Sequence, residues 1–276
     1  MAARSSEAHG AEPLHRGRTV LLIGAVVLMV VFLVPPLSVW ARRFEFIEAL
    51  QFTVFGIVVP VLFVAGSPWR LCGLAARVQP EADALMTGAG AVLPPVDRLA
   101  LARMRHPEAY RSVFFGFLFL VGAVLWRIPP TVDALARHPW LVVVEAIVLL
   151  VVGTGLWLEL IESPPLTPRL TRPHRIALAA VCMWTVWVLA YLVGLSHGSW
   201  YHAYPHHPGG TFSLSADQQL TTGTMWFVSG CAFVPVVFWN LIRWLQSEEN
   251  PDQELHRLMR EERTRGRSLD RGRTAP

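Results

Sequence analysis

Six long apolar stretches occupy most of this chain, at 19–40, 46–66, 112–130, 139–162, 176–197 and 221–245. Each meets the length of about 20 residues needed to cross a hydrocarbon core of about 30 Å. Backbone N–H and C=O groups find no water there, so a stretch of this kind is predicted to be a helix. The expected fold is all-α: a polytopic bundle of six transmembrane helices. A hydrophobic fraction of 53% and a mean hydropathy of +0.41 agree.

Every one of the 24 basic residues is arginine, and their placement sets the topology. Arginines crowd the N-terminal tail, the 67–111 loop, the 163–175 loop and the chain beyond Arg243; the 198–220 loop has none. Only Arg42, Arg43, Arg127 and Arg137 fall on the other side. Positive charge stays cytoplasmic, so both termini are expected inside. The net charge of +4 reads as topology, not as a nucleic-acid surface. The first apolar run is longer than a signal-peptide core, which favours a retained helix. This divides the chain into a disordered N-tail (1–18), a membrane domain (19–245) and a charged cytoplasmic C-tail (246–276). In the 67–111 loop, 97–105 alternates apolar residues with arginine, as a helix lying on an anionic leaflet would.

Phosphate-binding glycine loops and zinc-protease motifs are missing from the sequence, and no Ser-His-Asp context is recognisable. No apolar interior holds a histidine, which argues against haem ligated between helices. Cys72, Cys182 and Cys231 form no CxxC, and buried thiols that serve packing are the plainer reading. Nothing here calls for enzyme turnover.

Polar residues within spans are costly and mark candidate sites. The outer ends of the helices collect Glu45, Glu48, Gln51, Arg127, His138, Glu145, His197, Asp217, Gln218 and Gln219. Glu145 is the sharpest, with apolar residues on both sides and Arg127 as a candidate partner across the short outer loop. Either a functional metal, proton or partner site or a packing ion pair would explain it. The outer loop HGSWYHAYPHHPGG carries His202, His206 and His207, a set suited to copper or zinc. An interfacial loop in which Trp200, Tyr201 and Tyr204 join the aromatic belt is the competing reading.

From about residue 46 to 249 the chain resembles the CtaG family, the assembly factors of caa3-type cytochrome c oxidase. The most specific part is SLSADQQLTTGTMWFVSG, with Asp217 and Gln218 followed by Gly223, Met225 and Trp226. ALQFTVFGIVVPVLFVAGSPWRL, with its Gly66-Ser67-Pro68 exit, is also similar, as are Glu145 with Gly155 and Trp157, RPHRIALAA, and YHAYP. The resemblance implies a multi-pass protein of the bacterial plasma membrane that helps assemble the oxidase, with copper insertion at the outer face. Its implied partners are oxidase subunits or other assembly factors, within the lipid bilayer and without nucleic acid. Copper is the one cofactor implied. The chain departs from the family pattern where histidines are usual: it has Glu48 and Phe52 around Gln51, Arg127 before Ile128-Pro129, and Val142 and Ala146 around Glu145. Two readings stay open. Copper could pass through the His202, His206 and His207 loop. Alternatively, the chain could be an accessory or structural subunit of a respiratory complex, with Glu48, Arg127, Glu145 and Asp217 as an interhelical network. A small-molecule or metal transporter is a third class, disfavoured because the sequence shows neither a broken helix pair nor an inverted repeat.

Overall fold

The computed structural model describes residues 4–71, 109–164, 166, 168–196, 200–204 and 213–248. The elements are α1 (Arg4–Leu33), α2 (Leu37–Trp40), α3 (Glu45–Thr53), a π-helical segment (Val54–Val58), α4 (Val59–Gly66), α5 (Pro68–Leu71), α6 (Ala109–Arg127), α7 (Pro129–Arg137), α8 (Pro139–Leu160), α9 (Arg172–Gly194) and α10 (Leu214–Glu248). Among the described residues, only an isolated bridge between Ser163 and Leu166 has β character. The loop sequence at 97–105 and the chain beyond 248 lie outside the described residues.

Five helical segments are long and apolar enough to cross a membrane, and α6 with α7 makes a sixth if that bent pair counts as one span. The sequence predicts a third span over 112–130 and no broken helix pair. Instead the chain bends by 66° between α6 and α7. Ile128 is extended there, at φ −70° and ψ 144°. A residue before proline is pushed out of the helical region, and Pro129 imposes this on Ile128.

The first span also ends earlier than its apolar run. Its helix stops at Leu33, and Leu37–Trp40 forms a separate turn. Pro35 and Pro36 have no N–H to donate to the preceding turn. At the other end α1 runs back to Arg4, where the composition suggested disorder. Extending an existing helix needs no new nucleus, and Ala, Glu and Arg are good helix formers.

The segment from Glu45 to Gly66 is the central strut: 67% of it is buried, against 11% of the first span. Pro60 cannot donate to the Gly56 carbonyl, and the helix widens into its π-helical turn just before that proline. The strut meets α8 closely. A Cβ on Gly153 would lie 2.5 Å from the Gly56 carbonyl oxygen and 2.7 Å from Pro60 Cγ. One residue pair further on, a Cβ on Gly155 would collide with the Phe115 ring of α6. Small residues let membrane helices approach this closely. Below that contact, Trp157 of α8 stacks on Phe233 of α10 with centroids 4.9 Å apart, and Phe119 of α6 meets the same ring edge-on at 6.2 Å. α9 and α10 share the most extensive helix contact. The core therefore sits around α3–α4 and α8, and apolar residues such as Phe117, Trp184 and Phe227 face outward, as a protein in lipid requires.

Candidate polar site at the outer end of the bundle

Polar residues from four helices, α3, α6, α8 and α10, come together at one end, which the arginine distribution names the outer end. Arg127 closes α6 and is 2% exposed. One of its Nη groups donates to Glu48 of α3, forming a buried ion pair. The guanidinium also lies over two rings, Phe52 at 5.4 Å and Tyr201 at 5.2 Å from their centroids. Cation–π contacts of this kind strengthen when water is excluded.

This overturns the expected Glu145–Arg127 pair. Glu145 is buried on α8 and within electrostatic reach of both Glu48 and Arg127, but Arg127 bonds Glu48. Glu145 Oε1 has no hydrogen-bond partner among the described residues, and neither do Arg127 Nε and Nη2. Glu48 reaches the guanidinium first because the strut carries it into the centre of the bundle.

Asp217 has a separate role. Its two carboxylate oxygens accept the backbone N–H groups of Glu45 at 2.9 Å and Phe46 at 3.0 Å. The first N–H groups of a helix have no partner within it, and a carboxylate there also complements the helix dipole. Phe44 precedes α3 and offers no side-chain cap, so α10 caps the second span. Gln218 lies beside it, buried, and its carbonyl accepts the Thr222 hydroxyl at 3.0 Å. Gln51 also completes a helix end. Its Nε2 donates to the Phe32 carbonyl at 2.9 Å. The natural donor to that carbonyl would be the N–H of residue 36, which is proline. The outer-side network is thus three adjoining devices: an ion pair, a cap and a carbonyl clamp.

Two residues missed as site members are Tyr201 and Tyr204. Expected in the aromatic belt, they are 1% and 3% exposed and plug the outer end. Tyr201 donates its hydroxyl to the Arg127 carbonyl at 3.1 Å, a group freed by the bend at Ile128. Tyr204 donates to the Ala41 carbonyl at 3.4 Å. Burial pushes both phenols well above their ordinary range, so they stay neutral donors. The Tyr-x-x-Tyr spacing in YHAYP is the sequence signal that could have identified them.

The candidate copper loop is only partly described. His202 is on the surface, with Nδ1 3.7 Å from Asp133 Oδ2, beside a depression of about 440 Å³ that also includes Ala136, Arg137 and Ala203. Asp133 Oδ1 holds the loop by accepting the N–H groups of His202 and Ala203, each at 2.9 Å. His206 and His207 lie outside the described residues. Among the described residues, no three His, Cys, Asp or Glu side chains come together to hold a metal ion. The buried layer therefore does not fit a copper cage. His202 and Asp133 supply two donors at the surface.

The positions where the resemblance places histidines now have concrete occupants. Arg127 contacts both Glu48 and Phe52, and Ala146 is buried in apolar packing. The chain matches the family model described as cytochrome c oxidase caa3 assembly factor over residues 1–247. No curated protein and no solved structure matches it. With a family match over most of its length and a helical membrane architecture to go with it, the chain belongs to the caa3 cytochrome c oxidase assembly factor family.

Proposed function

We propose that this protein assists cytochrome c oxidase biogenesis from the plasma membrane, and that copper is its cargo, held in transit by His202, His206 and His207 at the outer face. The observation that carries the location is the composition of the outer layer. Glu48 and Phe52 engage Arg127, and among the described residues no histidine is buried in that layer. The loop above it presents His202 at 81% side-chain exposure, with its backbone pinned by Asp133. Imidazoles on an anchored, water-accessible loop can accept and release a metal without opening the bundle.

A second reading is an accessory or structural subunit of a respiratory complex with no metal role. It is favoured by the Glu48–Arg127 pair, which locks helices together where metal ligands would otherwise stand. Its partners would be oxidase subunits or other assembly factors.

A Cu(I) competition titration on the detergent-solubilised full chain separates the two, run beside a variant with His202, His206 and His207 all replaced by Ala. Stoichiometric binding that the variant loses is the expected result. Equal competition by both proteins removes the loop from the proposal, and no competition by the parent supports the accessory role.

A further inference from the structure

At the cytoplasmic end, a cleft of about 530 Å³ opens between α4, α8, α9 and α10. Its size falls within the ~300–1,000 Å³ typical of small-ligand sites. Pro235 in mid-α10 helps create it: the ring lines the cleft and cannot take part in the helix ladder. The rest of the floor is Leu160, Val236 and Trp239, and Arg175 and Glu162 stand at the polar rim. Trp239 is 59% exposed, and Phe238 and Ile242 beside it are also exposed, so the cleft faces the bilayer and not the bundle interior.

The rim is cationic. Arg175 is fixed by its Nε–H donating to the Leu170 carbonyl at 2.8 Å. Its Nη1 reaches only to 3.7 Å from Glu162, whose side chain is largely exposed. At that separation, with its carboxylate exposed, the pair contributes little and yields to a better anion. Arg172 and the buried Glu159 also lie within electrostatic reach of Arg175. The Arg243 guanidinium is held 4.8 Å over the Trp239 ring. An apolar trough open to lipid with guanidinium groups at its cytoplasmic mouth matches a molecule that has an acyl chain and a phosphate.

We propose that this cleft binds an anionic phospholipid of the inner leaflet, with an acyl chain along Leu160, Pro235, Val236 and Trp239 and the phosphate at Arg175 and Arg243. Basic pockets between helices on the cytoplasmic side are suited to anionic headgroups. An apolar partner helix would fill the trough but leave the arginines without an anion.

The test reconstitutes the full chain in nanodiscs of phosphatidylcholine with or without phosphatidylglycerol, then counts retained lipid by native mass spectrometry. The parent is expected to retain phosphatidylglycerol in preference to phosphatidylcholine. Arg243→Gln, on an exposed side chain, should weaken that retention about fivefold, the equivalent of ~1 kcal/mol for one arginine at an anionic surface. Arg175→Gln should compound the loss, and Trp239→Ala should lower retention of both lipids. Arg42→Gln with Arg43→Gln, on the outer side, should change nothing. Equal retention of the two lipids overturns the proposal, as does an unaffected Arg243→Gln variant, a matching loss in the outer-side control, or a co-purifying protein in place of lipid. Should Arg175→Gln fail to fold, the Arg243→Gln result decides alone.

Discussion

The two ends of this bundle handle charge in opposite ways. At the outer end, Glu45, Glu48, Arg127, Glu145 and Asp217 are all buried, and the contacts that engage Glu48, Arg127 and Asp217 join residues far apart in sequence. At the inner end, Arg175 and Glu162 meet loosely at a water-accessible rim, and Arg243 lies over a lipid-facing ring. Buried charge must be paired where it stands, whereas charge at an interface can snorkel or exchange partners. The outer end is therefore built for fixed geometry, and the inner end tolerates change.

Three substitutions test that contrast. Arg127→Met should be the most damaging, because it leaves Glu48 buried without its counter-ion. A loss of about 3–5 kcal/mol is expected in detergent unfolding, and adding Glu48→Leu should recover much of it. A double variant no more stable than the single would show that the pair is not the source. Asp217→Ala removes the cap from α3, and a loss of about 1 kcal/mol is expected, with faster amide exchange confined to the first turn after Phe44. Uniform exchange along α3 would deny the capping role. Glu162→Gln, at the inner rim, should shift stability by no more than about 0.5 kcal/mol. A loss equal to that of Asp217→Ala would erase the distinction between the ends.

Hydropathy placed the helices because lipid leaves the backbone no other choice. It could not place the bend at Ile128, where a local proline restriction acts within a window that still averages as apolar. Glu48, Gln51, Arg127, Glu145 and Asp217 were legible as outer-end residues, since a polar or ionisable group in a span is conspicuous. Their partners were not. Several carboxylates could have reached Arg127, and only the folded packing of the helices shows that Glu48 is its partner. Tyr201 and Tyr204 were misread for a related reason: an amphipathic ring suits a membrane interface as well as a buried plug. The inner cleft left no mark in the sequence beyond Pro235, because it is a gap between four helices that no local pattern records.

Gln51 and Asp217 also impose an order on how the chain can be completed. Gln51 clamps a carbonyl only 19 residues upstream, so the first hairpin can close as soon as its second helix is in the membrane. Asp217 reaches back across 172 residues to the start of that same helix. During synthesis the open N–H groups of Glu45 and Phe46 must wait for the final span. Arrival of the last helix thus seals the first hairpin, and a chain that lacks it carries an unfinished helix end at the outer membrane surface.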